Sequence, residues 1–202
     1  MTRLSRSPLP AVWAFALAAS LLASPLHAAP ATAFAAEAQV QGAALLLNGA
    51  GTRFRAVFKV YDMALYTPRK VATPEALLAL PGPKLLRFSA LRDLPGTDLG
   101  LAFIKGLSAN SPKELVLKHT VSANRLIEIF SGRSKLSPGD TFAMQFIPGQ
   151  GTLFFIDGQP QGSPVGDAEF FGMVLNIWVG NSPADYALKA ALLGQEPAKK
   201  AY

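Results

Sequence analysis

The sequence predicts an α+β fold in which an antiparallel sheet carries helices on one face. Two observations carry this. Strand-like segments, helix-like segments, strands and helices follow one another in blocks, and the apolar period switches from two to helical spacing past Pro95-Gly96. No internal repeat and no Pro/Gly/Ser-rich linker divides the chain, so one domain is expected.

Taken in order, residues 29–39 are Ala-rich and read as a flexible lead-in to a domain spanning 40–194. Val40 to Leu47 reads as a strand stopped by Asn48-Gly49, a dipeptide that favours tight hairpin turns. Thr52 to Thr67 is a long β-rich stretch. In it Phe54, Ala56, Phe58 and Val60 alternate with Arg53, Arg55, Val57, Lys59 and Tyr61, as on a half-buried strand. The alternation falters at Asp62-Met63, where a bend or bulge is expected. Glu75 to Leu80 reads as a short helix closed by Pro81-Gly82-Pro83, and Leu85 to Leu94 as a strand. Leu99, Ala102, Phe103 and Leu107 then fall at helical spacing. Ser111-Pro112-Lys113-Glu114 has the form of a capping box, and the helical pattern resumes from Ser122 to Phe130. Thr141 to Ile147 and Thr152 to Ile156 return to β, with Asp157-Gly158 turning the latter onto Gln159–Gly162. Phe170, Phe171, Val174, Leu175 and Trp178 form the apolar stripe of a helix. A further helix, signalled by Ser182-Pro183-Ala184-Asp185, runs to a C-cap at Gly194, and residues 195–202 form a frayed tail.

The N-terminus reads as a secretory leader. Arg3 and Arg6 precede the apolar run Leu9 to Leu22, and no acidic residue appears before Glu37. Small residues follow, with cleavage expected after Ala28, or alternatively after Ala35. Ser20, Ser24 and Pro25 leave the run short of the roughly 20 apolar residues a membrane span needs. The expected location is the periplasm, with secretion as the alternative, and nothing spans the membrane once the leader is gone. The whole chain has 19 Lys and Arg against 13 Asp and Glu; loss of Arg3 and Arg6 leaves 17 against 13, a net charge of +4. No basic cluster points to nucleic acid. Cysteine is absent, which excludes disulfides, thiolate metal sites, a cysteine nucleophile and a lipoprotein anchor.

Few residues offer chemistry. His27 leaves with the leader, so His119 stands alone in the processed chain and is read as a surface residue at a helix end. One histidine without cysteine builds no zinc site, so no metal is expected. Gly49-Ala50-Gly51 lacks the phosphate-loop and dinucleotide fingerprints, and no G-x-S-x-G elbow occurs. What remains lies around the first long strand: Arg53, Arg55, Lys59, Tyr61 and Tyr66 set cations and phenols among apolar neighbours. An arginine can grip a carboxylate with two bonds, and a tyrosine hydroxyl can add a third donor.

Leu47-Asn48-Gly49-Ala50-Gly51-Thr52-Arg53 and Phe58-Lys59-Val60-Tyr61-Asp62-Met63-Ala64-Leu65-Tyr66 closely resemble the N-terminal signature of chalcone isomerase-like proteins. Ile177-Trp178-Val179-Gly180-Asn181-Ser182-Pro183, with Leu188-Lys189 and Leu192-Leu193-Gly194, resembles the C-terminal signature of the bacterial periplasmic branch. The resemblance covers Val40 to Gly194 and implies an open-faced β-sandwich, a large antiparallel sheet covered by a layer of helices with a ligand cleft between. It implies no cofactor. Plant members that close flavanone rings use an Arg, which falls on Arg53, and a Thr, which falls on Tyr61; a later Thr falls on Asp167. Tyr fills space a flat flavonoid would need, and Asp adds an anion where a phenolate would bind. Arg with Tyr is instead the pairing of the family's fatty-acid-binding members, where both hold a carboxylate.

These readings leave three functions open. The first is a non-catalytic binder of a fatty acid or similar apolar carboxylate, with Arg53, Tyr61 and Tyr66 as ligand-binding residues. The second is a cofactor-free isomerase (an intramolecular lyase) acting on a chalcone-like phenol, and the third an envelope scaffold without a small ligand. Oligomeric state is not legible. Arg53 and Tyr61 are eight residues apart, about 26 Å along a straight strand, so they can share a ligand only if the chain turns between them.

Overall fold

A computed structural model describes residues 32–195. The leader and most of the tail therefore lie outside the described residues. Its first turn is one the sequence reading missed. Gln41 and Gly42 both have positive φ (47° and 81°), the backbone of a two-residue hairpin turn. The chain folds back there, pairing β1 (Glu37–Val40) antiparallel with β2 (Ala43–Arg55). The lead-in expected over 29–39 is thus strand from Glu37. Phe34, Ala38 and Val40 pack on the back of the sheet against Ala64, Tyr66 and Leu85. The Thr32 amide donates to Asp62 Oδ2 (2.7 Å), and the Tyr66 hydroxyl to the Ala35 carbonyl (3.0 Å). Cleavage after Ala35 would strip these contacts; cleavage after Ala28 keeps them.

Asn48-Gly49, expected to turn, instead runs through β2 as a bulge between Leu47 and Gly49. The Asn48 side chain is buried and fully engaged. Its Nδ2 donates to the carbonyls of Val71 (2.9 Å) and Leu192 (2.7 Å), and its Oδ1 accepts from the Val71 amide (2.7 Å). A Cβ at Gly49 would lie 2.0 Å from the Ala191 carbonyl oxygen, and one at Gly51 would lie 2.8 Å from Ala191 Cβ. The Asn-Gly-Ala-Gly run is therefore the seat of the last helix, α6 (Tyr186–Leu192).

The expected single stretch Thr52–Thr67 is a second hairpin. β3 (Phe58–Thr67) turns back on β2 through Ala56-Val57, with Arg55 opposite Phe58. Ala56 takes φ of 53° without a glycine to announce it. No bend occurs at Asp62-Met63. Asp62 is fully buried and accepts from Thr52 Oγ1 (2.5 Å), and the second irregularity lies across the ladder, between Arg53 and Phe54.

After α1 (Pro74–Ala79), capped by Thr73, β4 (Lys84–Ala90) joins β3. The strand expected to reach Leu94 stops at Ala90; β5 (Leu94–Pro95) pairs separately with β6 (Lys135–Leu136). Between them lie α2 (Gly96–Asn110), α3 (Lys113–Lys118) and α4 (Thr120–Ser131). The capping box expected at Ser111 does not form: Pro112 is the N-cap residue, and Ser111 Oγ is buried without a partner. β7 (Thr141–Ile147), β8 (Gly151–Ile156) and β9 (Gln159–Pro160) complete a seven-stranded antiparallel sheet ordered β1-β2-β3-β4-β7-β8-β9. α5 (Ala168–Val179) lies among the helices on the front face. Its predicted stripe is buried, and so are Met173, Ile177 and Val179, because sheet and helices enclose it on several sides. α6 starts at Asp185, whose carboxylate accepts from the amides of Ala187 and Leu188, rather than at Ser182. Among the described residues no helix is long and apolar enough to cross a membrane.

Replacing Asn48 with Ala leaves a buried amide and two carbonyls unpartnered. Urea unfolding should show a loss of about 2 kcal/mol; an unchanged midpoint would contradict the seating role given to Asn48.

Candidate functional site: a donor-headed apolar cleft

The β2–β3 hairpin removes the separation between the two expected site residues. Arg53 and Tyr61 are direct cross-strand partners, and the guanidinium lies over the phenol ring, 5.5 Å from its centroid. Both line a cleft of about 320 Å³ between the sheet and the helical layer.

Its walls follow from strand and helix periodicity. Tyr61 and Phe88 point forward from adjacent strands and meet edge to face at 5.4 Å. Phe142 brings the third strand into contact, 5.3 Å from Phe88. From the helices, Phe103 stacks on Phe130 at 4.7 Å, and Trp178 comes within 5.2 Å of Phe88. Gly106 on α2 is the close approach that narrows the helical side: a Cβ there would lie 2.8 Å from Ile177 of α5. The rim carries Lys105 and Asp140.

Polarity is concentrated at one place. Trp178 Nε1 donates to the Tyr61 hydroxyl at 2.8 Å, which fills one acceptor site of that oxygen and leaves its own proton to be given away. No described residue accepts that proton. Arg53 has no carboxylate within ion-pair distance among the described residues, and its Nε is buried without a partner. Buried donors are rarely left unmatched in native proteins, and here an N–H and an O–H on residues lining one apolar cleft both lack an acceptor among the described residues. Burial pushes the Tyr61 phenol above its ordinary value, partly offset by the Arg53 charge and the Trp178 bond, so at neutral pH it is protonated and able to donate.

Tyr66, the third expected ligand residue, is not in this cleft. It is five residues from Tyr61, an odd interval, so its side chain leaves the opposite face of the sheet. There it is fully buried, bonded to Ala35 and covered by the Arg87 guanidinium at 5.6 Å. Asp167 likewise does not stand in the cleft; it caps α5, accepting from the Phe170 amide at 2.9 Å. His119, expected at the surface, is buried, with Nε2 2.7 Å from Glu169 Oε2. His119, Asp167 and Glu169 bring possible ligand atoms within 4.8 Å of one another, a grouping sequence spacing did not reveal. The Lys118 ammonium already bonds Glu169 there at 2.5 Å. The residue that sequence reading missed is Trp178: helical spacing gave it as core, and nothing local signals that its indole N–H meets Tyr61.

The family model of chalcone isomerase-like proteins matches residues 29–194. The chain belongs to the chalcone isomerase-like family. Among solved structures, the crystal structure of a fatty-acid binding protein from Arabidopsis thaliana has the same fold. Its TM-score is 0.62 and its identity 16%, over 79% of this chain and 90% of that one. No curated protein matches by sequence. The family match begins ahead of β1, in keeping with the packing of Phe34 and Ala38 on the back of the sheet.

Because the folded state holds the Tyr61 proton more tightly than the unfolded chain, this group's contribution to stability is complete below about pH 10. It is lost as pH rises through the raised value. Burial also raises Tyr66. Phenolate absorbance should therefore show two of the four tyrosines ionising later in the native protein than in urea, with Tyr61→Phe removing one late step. Superimposable native and unfolded titrations would contradict the burial of both.

Proposed function

We propose that this chain is an exported, non-catalytic binder of a fatty acid or similar apolar carboxylate. The carboxylate accepts from Arg53 and from the Tyr61 hydroxyl, and the tail lies among Phe88, Phe103, Phe130 and Phe142. The observation that carries this reading is the donor-only head of the cleft: a buried, unpartnered guanidinium N–H beside a phenol whose proton has no acceptor. A carboxylate, with two oxygens and no proton, matches both donors at once. The cleft volume falls at the small end of the range for ligand sites, roughly 300–1,000 Å³, in keeping with one slender chain. A fold shared with a fatty-acid binding protein adds support. The lone histidine of the processed chain is engaged with Glu169 and does not line the cleft.

Export supplies the setting. The leader, with a cut after Ala28, delivers the domain to the periplasm with Phe34 and Ala35 still in place. The intact mass of the protein recovered from a cell envelope fraction should begin at Ala29; an unprocessed chain in the cytoplasm contradicts export.

Calorimetric titration of delipidated protein with hexadecanoate should give saturable binding. Arg53→Ala removes a charge-assisted bond of about 2 kcal/mol, roughly 30-fold in affinity, and Tyr61→Phe about 1 kcal/mol, roughly 5-fold. Absence of binding by the wild-type protein would end the reading, and equal affinity of the Arg53 variant would move the site elsewhere.

A further inference from the structure

The tip of the β2–β3 hairpin has no role in the cleft, yet its composition is unusual for a solvated turn. Val57 is 82% exposed and Phe58 61% exposed, adjacent at the apex. Around them stand Arg55, Lys59 and Arg92, the last with its guanidinium over the Phe58 ring at 5.8 Å. None of these three cations forms an ion pair among the described residues. Of the acidic groups nearby, Asp93 is held by Lys135 at 2.6 Å, and Asp98 stands on the first turn of α2. A hairpin normally ends in small polar residues, which solvate the turn; an apolar pair in a collar of free cations is instead the pattern of an interfacial anchor.

The tip also adjoins the site. Arg53 is shared between the main cleft and a smaller pocket of about 140 Å³, whose lining includes Arg55, Arg92, Asp93, Asp98, Leu94 and Leu99. A surface that received Val57 and Phe58 would therefore lie beside the Arg53 end of the cleft.

We propose that this hairpin docks the protein on an anionic lipid bilayer, with Val57 and Phe58 entering the headgroup boundary and Arg55, Lys59 and Arg92 meeting lipid phosphates. Charge complementarity selects the partner: three unpaired cations each strengthen attachment to an anionic leaflet about five-fold, and that attraction fades with salt. Two apolar side chains alone hold a bilayer weakly, so the attachment is reversible. The Arg53 end of the cleft then opens at the lipid–water boundary. This inference does not depend on which ligand the cleft holds.

The test is sedimentation with vesicles of phosphatidylcholine alone and of an equal mixture with phosphatidylglycerol. The protein is purified from cells expressing the full chain, with its N-terminus fixed by mass spectrometry. The wild-type protein should pellet with the mixed vesicles at low salt, at least ten-fold more than with phosphatidylcholine, and be released at high salt. Val57→Asp with Phe58→Asp should abolish pelleting, and Arg55→Gln with Lys59→Gln should reduce it about twenty-fold or more. Both pairs are exposed, and circular dichroism melts should match wild type. Failure of the wild type to pellet, indifference to phosphatidylglycerol, or pelleting unaffected by the Asp pair would each overturn the proposal, the last two pointing to a different surface.

Discussion

The seating of α6 along β2 is the contact on which the site depends. Asn48 bonds the end of the helix at Leu192, Gly49 and Gly51 let its backbone approach, and Asp185 at its start accepts from the Phe54 amide at 2.9 Å. Phe54 adjoins the register shift after Arg53. One helix thus pins β2 at both of its irregular points and sets where Arg53 leaves the strand. The same arrangement joins two of the runs on which the sequence resemblance rested, one near each end of the domain. The Asn-Gly-Ala-Gly run and the Leu188 to Gly194 run are two halves of one interface.

From that scaffold the cleft acquires its chemistry by subtraction. Phenylalanine side chains from two strands and two helices line the space with surface that cannot hydrogen bond, so the few donors present stand out. Tyr61 joins the two layers. Its ring packs on Phe88, its oxygen accepts from Trp178 on α5, its face supports Arg53, and its proton remains available. A smaller hydroxyl residue at this position could not also brace the guanidinium or reach the indole.

How much of this could be read in the sequence follows from which forces are local. The helical stripe on α5 reported burial faithfully, because a helix must point those residues inward whatever the rest does. The alternation read from Arg53 to Tyr61 did not, because the chain reverses at Ala56-Val57 and β3 is buried on both faces from Tyr61 to Tyr66. Strand geometry alone, applied to the odd interval between Tyr61 and Tyr66, places them on opposite faces, so the error in grouping them was avoidable. The turns were not. Asn48-Gly49 has the composition of a hairpin but is held in a strand by tertiary bonds from Val71 and Leu192, which lie 23 and 144 residues away. Ala56-Val57 turns without a turn residue because the pairing on either side compels it. Those two reversals of expectation together hid the fact that Arg53 and Tyr61 face each other. His119 was misjudged for a similar reason, since its burial depends on Glu169 across 50 residues.

The central claim is that Arg53 and Tyr61 form a donor site for a carboxylate. The most direct measurement is the titration of carboxyl-labelled hexadecanoate bound to the protein, followed by carbon NMR as the pH falls. A carboxylate held by a guanidinium and a phenol proton should stay ionised well below the pH at which free fatty acid protonates, and lose that shift in Arg53→Ala. A bound carboxyl that protonates at or above the pH of the free acid would contradict the account.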